Sequence, residues 1–391
     1  MWLNGTRFLV QLTHIVEGSS AIIGRPELVG DQMKTICYYI SDYGFGHASR
    51  SVAIIRELLA QSDEIKVIVC HSYALAFMKE SLGHEGRVEF REVSTDIGYI
   101  LKQNSLEPDV KGLNLAFHAY MENMDDVVRV EVEFCRRRGV AAILSDIVAF
   151  PFKAAKELGI PSIGLSNFTW YTAYKQLMDE DRLETLRGYY SLMDYHFSLA
   201  ASNEPSWGIR ENRGFGFVSR GCDQGAVEEL RRWMDPTGSK TIVYFGLGMK
   251  VFMDELDGLA LWDSPNCCFV VSSNVAVRRE NVYRIPKFYT ESQHFVAASD
   301  LVITKAGWST VAEAVNANKP LVVLNRSHME EDENTIEFLK KYKRAEVMDW
   351  QEIRNLRIDQ ELVVRLEEQK RAQAFVNEAS GIAGGIIEVL F

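Results

Sequence analysis

Short apolar runs alternate with amphipathic stretches along most of the chain. Residues His47 to Gln61 carry apolar side chains on one side at helical spacing, which predicts a helix. In this half, the apolar runs typical of buried strands are Thr35–Ser41, Ile65–Cys70, Val88–Val93, Ala141–Ser145 and Ser162–Ser166. Further helices are predicted at Asn114–Arg138, at Phe150–Leu158 and in an aromatic-rich region from Asn167 to Tyr195. Strands that alternate with helices predict a parallel sheet covered by helices.

The same alternation restarts after residue 225, with strands predicted at Thr241–Phe245, Cys268–Ser272, Leu301–Ile303 and Leu321–Leu324. Residues 201–225 are rich in Gly, Ser and Asn, which predicts a passage between two domains. We therefore predict an α/β protein with Rossmann-like parallel-sheet domains at 34–200 and 226–391, which face each other across a cleft. Ligands of such sheets bind at the carboxyl ends of the strands.

Composition narrows the class of protein. The chain has 391 residues, of which 47 % are hydrophobic and 25 % charged, enough for two ordinary cores. The net charge of −11 argues against a nucleic-acid partner. No uncharged apolar run reaches the roughly 18 residues of a membrane helix, although peripheral membrane contact stays open. The six cysteines lack metal-binding spacing, which predicts reduced thiols, no metal and a cytoplasmic location.

Residues 1–33 form an N-terminal extension in this interpretation. They have no clear hydrophobic period, and they lack the compact apolar core and small-residue cleavage site of a secretory signal.

A candidate phosphate site follows the strand Leu301–Ile303. The turn Lys305-Ala306-Gly307-Trp308 leads into a predicted helix that starts with Ser309 and Thr310. A helix start offers unpaired N–H groups and positive potential, which suit a diphosphate. Glu313 lies one turn further along the same face, where a carboxylate can accept hydrogen bonds from both hydroxyls of a ribose. The alternative is an ordinary strand–turn–helix unit that Ser309 caps.

Candidate catalytic residues follow two strands of the first predicted sheet. Gly44 and Gly46 flank the loop that delivers His47 to a helix start, and Asp146 ends a strand of the same sheet. The helix dipole disfavours the charged imidazole, and a nearby carboxylate can orient the ring. His47 is thus a candidate general base and Asp146 its partner. The alternatives are a structural histidine and an aspartate that caps the next helix.

The order Lys305-Ala306-Gly307-Trp308-Ser309-Thr310-Val311-Ala312-Glu313 resembles the signature of the plant secondary-product glucosyltransferases. It also resembles the corresponding turn and helix of the bacterial N-acetylglucosaminyltransferase that completes lipid II. These resemblances imply the GT-B fold, with His47 as base, Asp146 as its support and Glu313 on the ribose. They also imply a donor-binding set comprising Gly246, Gly248, Phe288, Tyr289, Lys305, Gly307, Trp308, Ser309, Thr310, Glu313, Glu330, Glu331 and Asn334.

The residue types within that set differ from the families in three places. Lys305 replaces a histidine, and Ser309 replaces an asparagine. The acidic pair Glu330 and Glu331 occupies the position of the amides that hold sugar hydroxyls, with Asn334 in register. The alternative for the acidic run is a solvated helix start.

The first half resembles the glycosyltransferase-like half of plant L-arabinose kinases, through Tyr43–Arg50 and Pro161–Trp170. The motifs point to Gly44, Gly46, Asn167 and Trp170 as acceptor-side residues. Together the resemblances imply a hexosyltransferase-type enzyme that moves sugar from a nucleoside diphosphate, expected to be UDP, to an acceptor hydroxyl. We expect inversion and no metal or cofactor, since the nucleotide-sugar is a substrate.

The sequence leaves the acceptor open among sugars, lipid-linked molecules and small molecules. Two other functions stay open from the sequence: a sugar-nucleotide epimerase of the same shape, and a non-catalytic sugar-nucleotide sensor.

Overall fold

Two all-parallel sheets organise the chain. The computed structural model describes residues 33–103, 107–247, 256–326, 329–371 and 374–391. Of the predicted extension only Met33 falls within these ranges, and Gly248 lies outside them. The strands are β1 Lys34–Ile40, β2 Ile65–His71, β3 Val88–Glu92, β4 Val140–Asp146, β5 Ser162–Ser166, β6 Tyr195–Ser198, β7 Glu211–Gly214, β8 Thr241–Gly246, β9 Cys267–Val271, β10 Val282–Arg284, β11 Leu301–Lys305, β12 Leu321–Leu324 and β13 Glu346–Met348.

Helices connect these strands and cover the sheets. They are α1 Phe45–Gln61, α2 Leu75–Leu82, α3 Val110–Arg137, α4 Phe150–Leu158, α5 Trp170–Tyr174, α6 Glu180–Tyr190, α7 Gln224–Met234, α8 Gln293–Ala298, α9 Trp308–Asn316, α10 Glu330–Lys341, α11 Trp350–Asn355, α12 Gln360–Glu367 and α13 Ala379–Leu390. Short 3₁₀ helices occur at Leu256–Gly258, Ala260–Asp263 and Glu368–Arg371.

Each sheet has one point where the strand order reverses. The first sheet runs β3-β2-β1-β4-β5-β6-β7 and the second runs β10-β9-β8-β11-β12-β13. The reversal lies between β1 and β4 in the first sheet and between β8 and β11 in the second. Ligands of open parallel sheets bind outside the carboxyl ends of the strands at such points.

Alternation of side chains along β1 shows how the first sheet is buried on both faces. Ile36, Tyr38 and Ile40 belong to one apolar core, whereas Cys37 and Tyr39 belong to the core on the other face. The first of these cores continues into the second domain and includes Trp308. The two domains therefore share packed apolar surface near the turns that carry the candidate residues.

The structure differs from the predicted domain limits in two places. Strand β7 lies inside the predicted passage 201–225 and pairs with β6. Its sequence, Glu-Asn-Arg-Gly, is polar, so no apolar run predicted a strand there. Helix α13, predicted within the domain 226–391, packs against α1 of the first domain, where Gln61 donates a hydrogen bond to the Ser380 carbonyl at 3.0 Å. The apolar pattern of a helix does not specify which sheet it covers.

The aromatic-rich region is also shorter and more broken than predicted. It forms the separate helices α5 and α6, and strand β6 begins at Tyr195, where the predicted helical region ends. Strand β6 was not predicted, because short buried strands and buried helices share the same apolar composition.

Candidate active site between the two sheets

His47 and Asp146 meet at the reversal point of the first sheet. His47 is the third residue of α1, and Asp146 is the last residue of β4. The His47 Nδ1 atom lies 2.8 Å from Asp146 Oδ1, and both side chains are buried. Gly44 precedes the helix with φ of +88°, which side-chain-bearing residues rarely adopt. This turn brings His47 over the carboxyl end of β4.

Arg50, which the sequence analysis missed, completes this cluster. Its Nε donates to Asp146 Oδ2 at 2.6 Å, and its Nη2 donates to Asp146 Oδ1 at 2.5 Å. Its Nη1 donates to Asn167 Oδ1 at 2.6 Å, so the predicted acceptor-side Asn167 is a partner of the guanidinium. Arg50 is 2 % exposed. The available signal was its spacing, since residues i and i+3 of a helix share a face.

The charges in this cluster act in opposite directions on the two titrating groups. Burial and the Arg50 charge lower the pKa of His47, against the opposing effect of Asp146. Burial alone would raise the pKa of Asp146, but Arg50 and His47 outweigh it and lower that pKa to about 2. Near neutral pH the site therefore holds a neutral imidazole beside an ionised carboxylate, a combination suited to accepting a proton.

The start of α9 faces this cluster from the second domain. Ser309 Oγ donates to the Gly46 carbonyl at 2.8 Å, and the Trp308 indole donates to the Ala200 carbonyl at 2.7 Å. The Arg50 guanidinium lies 5.1 Å from the centre of the Trp308 ring. No side chain caps α9, whose N-cap is Gly307, so its first N–H groups remain suited to an anion. The structure thus brings the predicted phosphate turn and the predicted base together.

Glu313 lies on α9 behind that turn and is 9 % exposed. Its Oε1 accepts hydrogen bonds from Arg220 Nη2 at 3.1 Å and from Ser49 Oγ at 3.4 Å. Neither Arg220 nor Ser49 was predicted. Arg220 comes from the chain between the domains, where sequence pattern gave no reason to place a buried charge.

The remaining donor-side candidates are spread more widely. Gly246 ends β8, and its carbonyl accepts a hydrogen bond from Thr304 at 2.7 Å. Lys305 ends β11, the neighbouring strand. Phe288 is 56 % exposed, whereas the hydroxyl of Tyr289 is within 2.9 Å of His294 Nδ1.

The acidic run forms the start of α10, which begins at Glu330 and includes Glu331 and Asn334. Burial raises the pKa of both Glu330 and Glu331. The next acidic residue, Asp332, is fully buried and is held by Arg326 Nε at 2.6 Å. Helix α10 contacts α5 of the first domain, so the run lies where the two domains meet.

Trp170 contributes to a buried wall and presents no open ring face. It is 3 % exposed, packs edge-on against Tyr43 at 5.4 Å and Phe168 at 5.2 Å, and stacks on Tyr174. Its indole donates to Asp96 Oδ2 at 2.9 Å. The expected acceptor-side position therefore holds a rigid aromatic cluster beside His47.

Among residues 33–103, 107–247, 256–326, 329–371 and 374–391, no group of three or more His, Cys, Asp and Glu side chains is arranged to hold a metal ion. In the same ranges, no helix has the length and apolar content needed to cross a membrane.

Comparisons with known proteins agree with this architecture. Residues 270–383 match the glycosyltransferase family 28 C-terminal domain. L-arabinokinase of Arabidopsis thaliana is 24 % identical to this chain over 311 residues. The matched segment covers 77 % of this chain but only 29 % of the length of L-arabinokinase. The resemblance to the plant kinases is confirmed over this segment.

Solved structures show the same fold at low identity. The glycosyltransferase SnogD from Streptomyces nogalater has a TM-score of 0.60 and 13 % identity, covering 92 % of this chain and 100 % of its own. Phytolacca americana UGT2, complexed with UDP-2fluoro-glucose and pterostilbene, has a TM-score of 0.62 and 12 % identity. That match covers 91 % of this chain and 99 % of the UGT2 chain. The predicted GT-B fold, with two Rossmann-like parallel-sheet domains, is confirmed.

Proposed function

We propose that this protein is an inverting, metal-independent glycosyltransferase that moves a sugar from a UDP-sugar to an acceptor hydroxyl. One observation carries the proposal: the His47–Asp146 pair faces the uncapped start of α9, and the Gly46–Ser309 hydrogen bond of 2.8 Å joins the two. A proton acceptor and a helix start suited to an anion thus meet where the two domains come into contact, as transfer from a nucleoside diphosphate requires. The family 28 match and the UDP-sugar-bound structural relative support it.

On the donor side, the first N–H groups of α9 would bind the diphosphate, and Thr310 would add a hydroxyl donor, while the Ser309 hydroxyl stays bonded to the Gly46 carbonyl. Lys305 would place a cation beside the leaving group. Glu313 would accept the ribose hydroxyls, with Arg220 holding its other oxygen at 3.1 Å. Negative charge that develops on the diphosphate would then be stabilised by donors already in place.

On the acceptor side, His47 Nε2 would take the proton of the acceptor hydroxyl. The acceptor oxygen would form a bond to the anomeric carbon while the bond from that carbon to the diphosphate oxygen breaks. The electron pair of the broken bond stays on the diphosphate. The proton stays on the imidazole, where Asp146 at 2.8 Å from Nδ1 stabilises it. Attack opposite the leaving group gives inversion.

Replacement of Glu313 tests the ribose assignment. We expect Glu313→Ala to weaken UDP binding by about 1.5–3 kcal/mol, because charged hydrogen bonds to the ribose are lost. Calorimetry measures this change. The matched control is Glu346→Ala, which removes a carboxylate of the same domain that pairs with Arg365 at 2.9 Å. Equal UDP affinities in the two variants would remove Glu313 from the ribose site.

Replacement of Glu330 and Glu331 by Gln tests the choice of donor sugar. Carboxylates only accept hydrogen bonds, so the wild type should favour sugars with hydroxyl donors and disfavour uronic acids. The double variant should therefore discriminate less against UDP-glucuronate, with a smaller effect on UDP itself. Glu333→Gln, an exposed change on the same helix, is the control. An identical donor ranking in all three proteins would favour the solvated helix start.

Donor turnover separates this function from its alternatives. Transfer predicts UDP release that depends on an acceptor and yields a glycosylated product. An epimerase would consume the donor without any acceptor, and a sensor would bind the nucleotide-sugar with no turnover. The assay uses the full chain, a panel of UDP-sugars and a small-molecule acceptor mixture, with mass spectrometry of the products.

A further inference from the structure

We propose that Arg50 is a positioning residue that fixes the orientation of Asp146 and keeps the imidazole of His47 uncharged until an acceptor proton arrives. The inference deepens the proposed function, since it rests on His47 being the base. Arg50 is placed for this role because both oxygens of Asp146 accept from it, at 2.6 and 2.5 Å. Two hydrogen bonds from one guanidinium restrict the rotation of the Asp146 carboxylate.

The charge balance around the imidazole follows from this contact. In a simple histidine–aspartate pair, the carboxylate charge favours the imidazolium. Here the charge of Asp146 is already matched by Arg50, and a proton on His47 would leave the buried cluster with a net positive charge. The other groups near His47 do not reverse this balance. Phe168 is uncharged, and His71 on β2 lowers the pKa of His47 further.

The same guanidinium also bears on the tautomer of His47. The Nδ1 atom lies 2.8 Å from Asp146 Oδ1 and 3.0 Å from Arg50 Nη2, which donates to the same Asp146 oxygen at 2.5 Å. Because a guanidinium cannot accept a hydrogen bond, Asp146 Oδ1 is the acceptor for a proton on Nδ1. Only the tautomer that donates its Nδ1–H to Asp146 leaves a lone pair on Nε2 for the acceptor proton. Arg50 Nη1 donates to Asn167 Oδ1 at 2.6 Å, a third hydrogen bond that restrains the guanidinium.

Arg50 further connects the base to the donor-binding helix. Its guanidinium lies over the ring of Trp308, the first residue of α9, at 5.1 Å. The cluster therefore depends on contact between the two domains. The contact helps to bury the Arg50 cation on the face of α1 that also carries His47.

The test is a pH titration of His47, monitored by NMR of protein with labelled imidazole groups. It compares the wild type with Arg50→Gln and Arg50→Lys. Arg50→Gln removes the cation, so the pKa of His47 should rise by about one to three pH units. Arg50→Lys keeps the charge but cannot bond both Asp146 oxygens and Asn167. It should change the pKa less than Arg50→Gln does, yet lower kcat by about tenfold with little change in donor KM.

Arg56→Gln is the matched control, because Arg56 lies on the same helix and pairs across the domains with Glu291 at 2.8 Å. It should leave the His47 titration unchanged. A His47 pKa that stays unchanged or falls in Arg50→Gln overturns the proposal. If that variant does not fold, a wild-type kcat in Arg50→Lys overturns it instead.

Titration and turnover together separate the role of Arg50 from the proposed glycosyltransferase function. A raised His47 pKa in a protein that transfers no sugar would retain the role of Arg50 and reject the proposed function. Normal transfer whose acid limb does not move in Arg50→Gln would retain the function and reject the role of Arg50.

Discussion

His47→Ala should lower the rate of sugar transfer by about 10²–10⁴-fold while leaving donor affinity nearly intact. The reason is the division of the site: the imidazole belongs to the first sheet and would act on the acceptor, whereas the donor would be held by α9 of the second. Steady-state kinetics would measure kcat, and calorimetry would measure Kd for UDP in the same preparation. His118→Ala is the control, since its side chain is 71 % exposed on α3.

Two outcomes would count against the base assignment. Normal transfer by His47→Ala would exclude His47 as the base. Equal losses of kcat and of UDP affinity would mean that His47 supports the closed contact between the domains, where Gly46 meets Ser309. His47→Gln, which keeps a polar group in the same space, separates loss of the base from loss of packing.

Asp146→Asn should destabilise the fold by about 3–5 kcal/mol, because it leaves the Arg50 guanidinium buried without its counter-charge. Transfer should fall as well, since the amide no longer fixes the tautomer of His47. Chemical denaturation measures the free energy of unfolding. Asp126→Asn provides the control, since it removes an exposed pair with Arg129 and should leave stability near that of the wild type.

The acid dependence of this variant gives a second readout. The pKa of Asp146 is about 2 in the fold against an ordinary value of 3.8, so its stabilisation is fully present above pH 3.8. It is lost as the pH falls from 3.8 towards 2, because the unfolded chain then binds the proton first. Asp146→Asn should lack this part of the acid dependence. An unchanged stability and pH profile would contradict the buried Arg50–Asp146 pair.

The pairing of His47 with Asp146 was predictable because parallel topology carries the ends of β1 and β4 to one edge of a sheet. Their separation of ninety-nine residues did not matter. The turn before α9 was predictable for a similar reason, since an apolar strand, a glycine turn and an amphipathic helix have distinct local patterns. These features need only local pattern and the general rules of parallel sheets.

Buried charge networks were not predictable in this way. Arg50 and Arg220 make their main contacts with Asp146 and Glu313, ninety-six and ninety-three residues away, through side-chain geometry that no periodicity encodes. Strand β7 and the docking of α13 on the first domain were missed because each depends on a partner surface far along the chain. Sequence pattern identified the elements, and packing between elements decided which charges they bury.

The most direct measurement is a crystal structure of the protein with a fluorinated, non-transferable UDP-sugar. We expect the diphosphate to lie at the first N–H groups of α9 beside Ser309 and the ribose to contact Glu313. The anomeric carbon should face His47 Nε2. Nucleotide bound at another site, or a sugar that points away from His47, would contradict the proposed function.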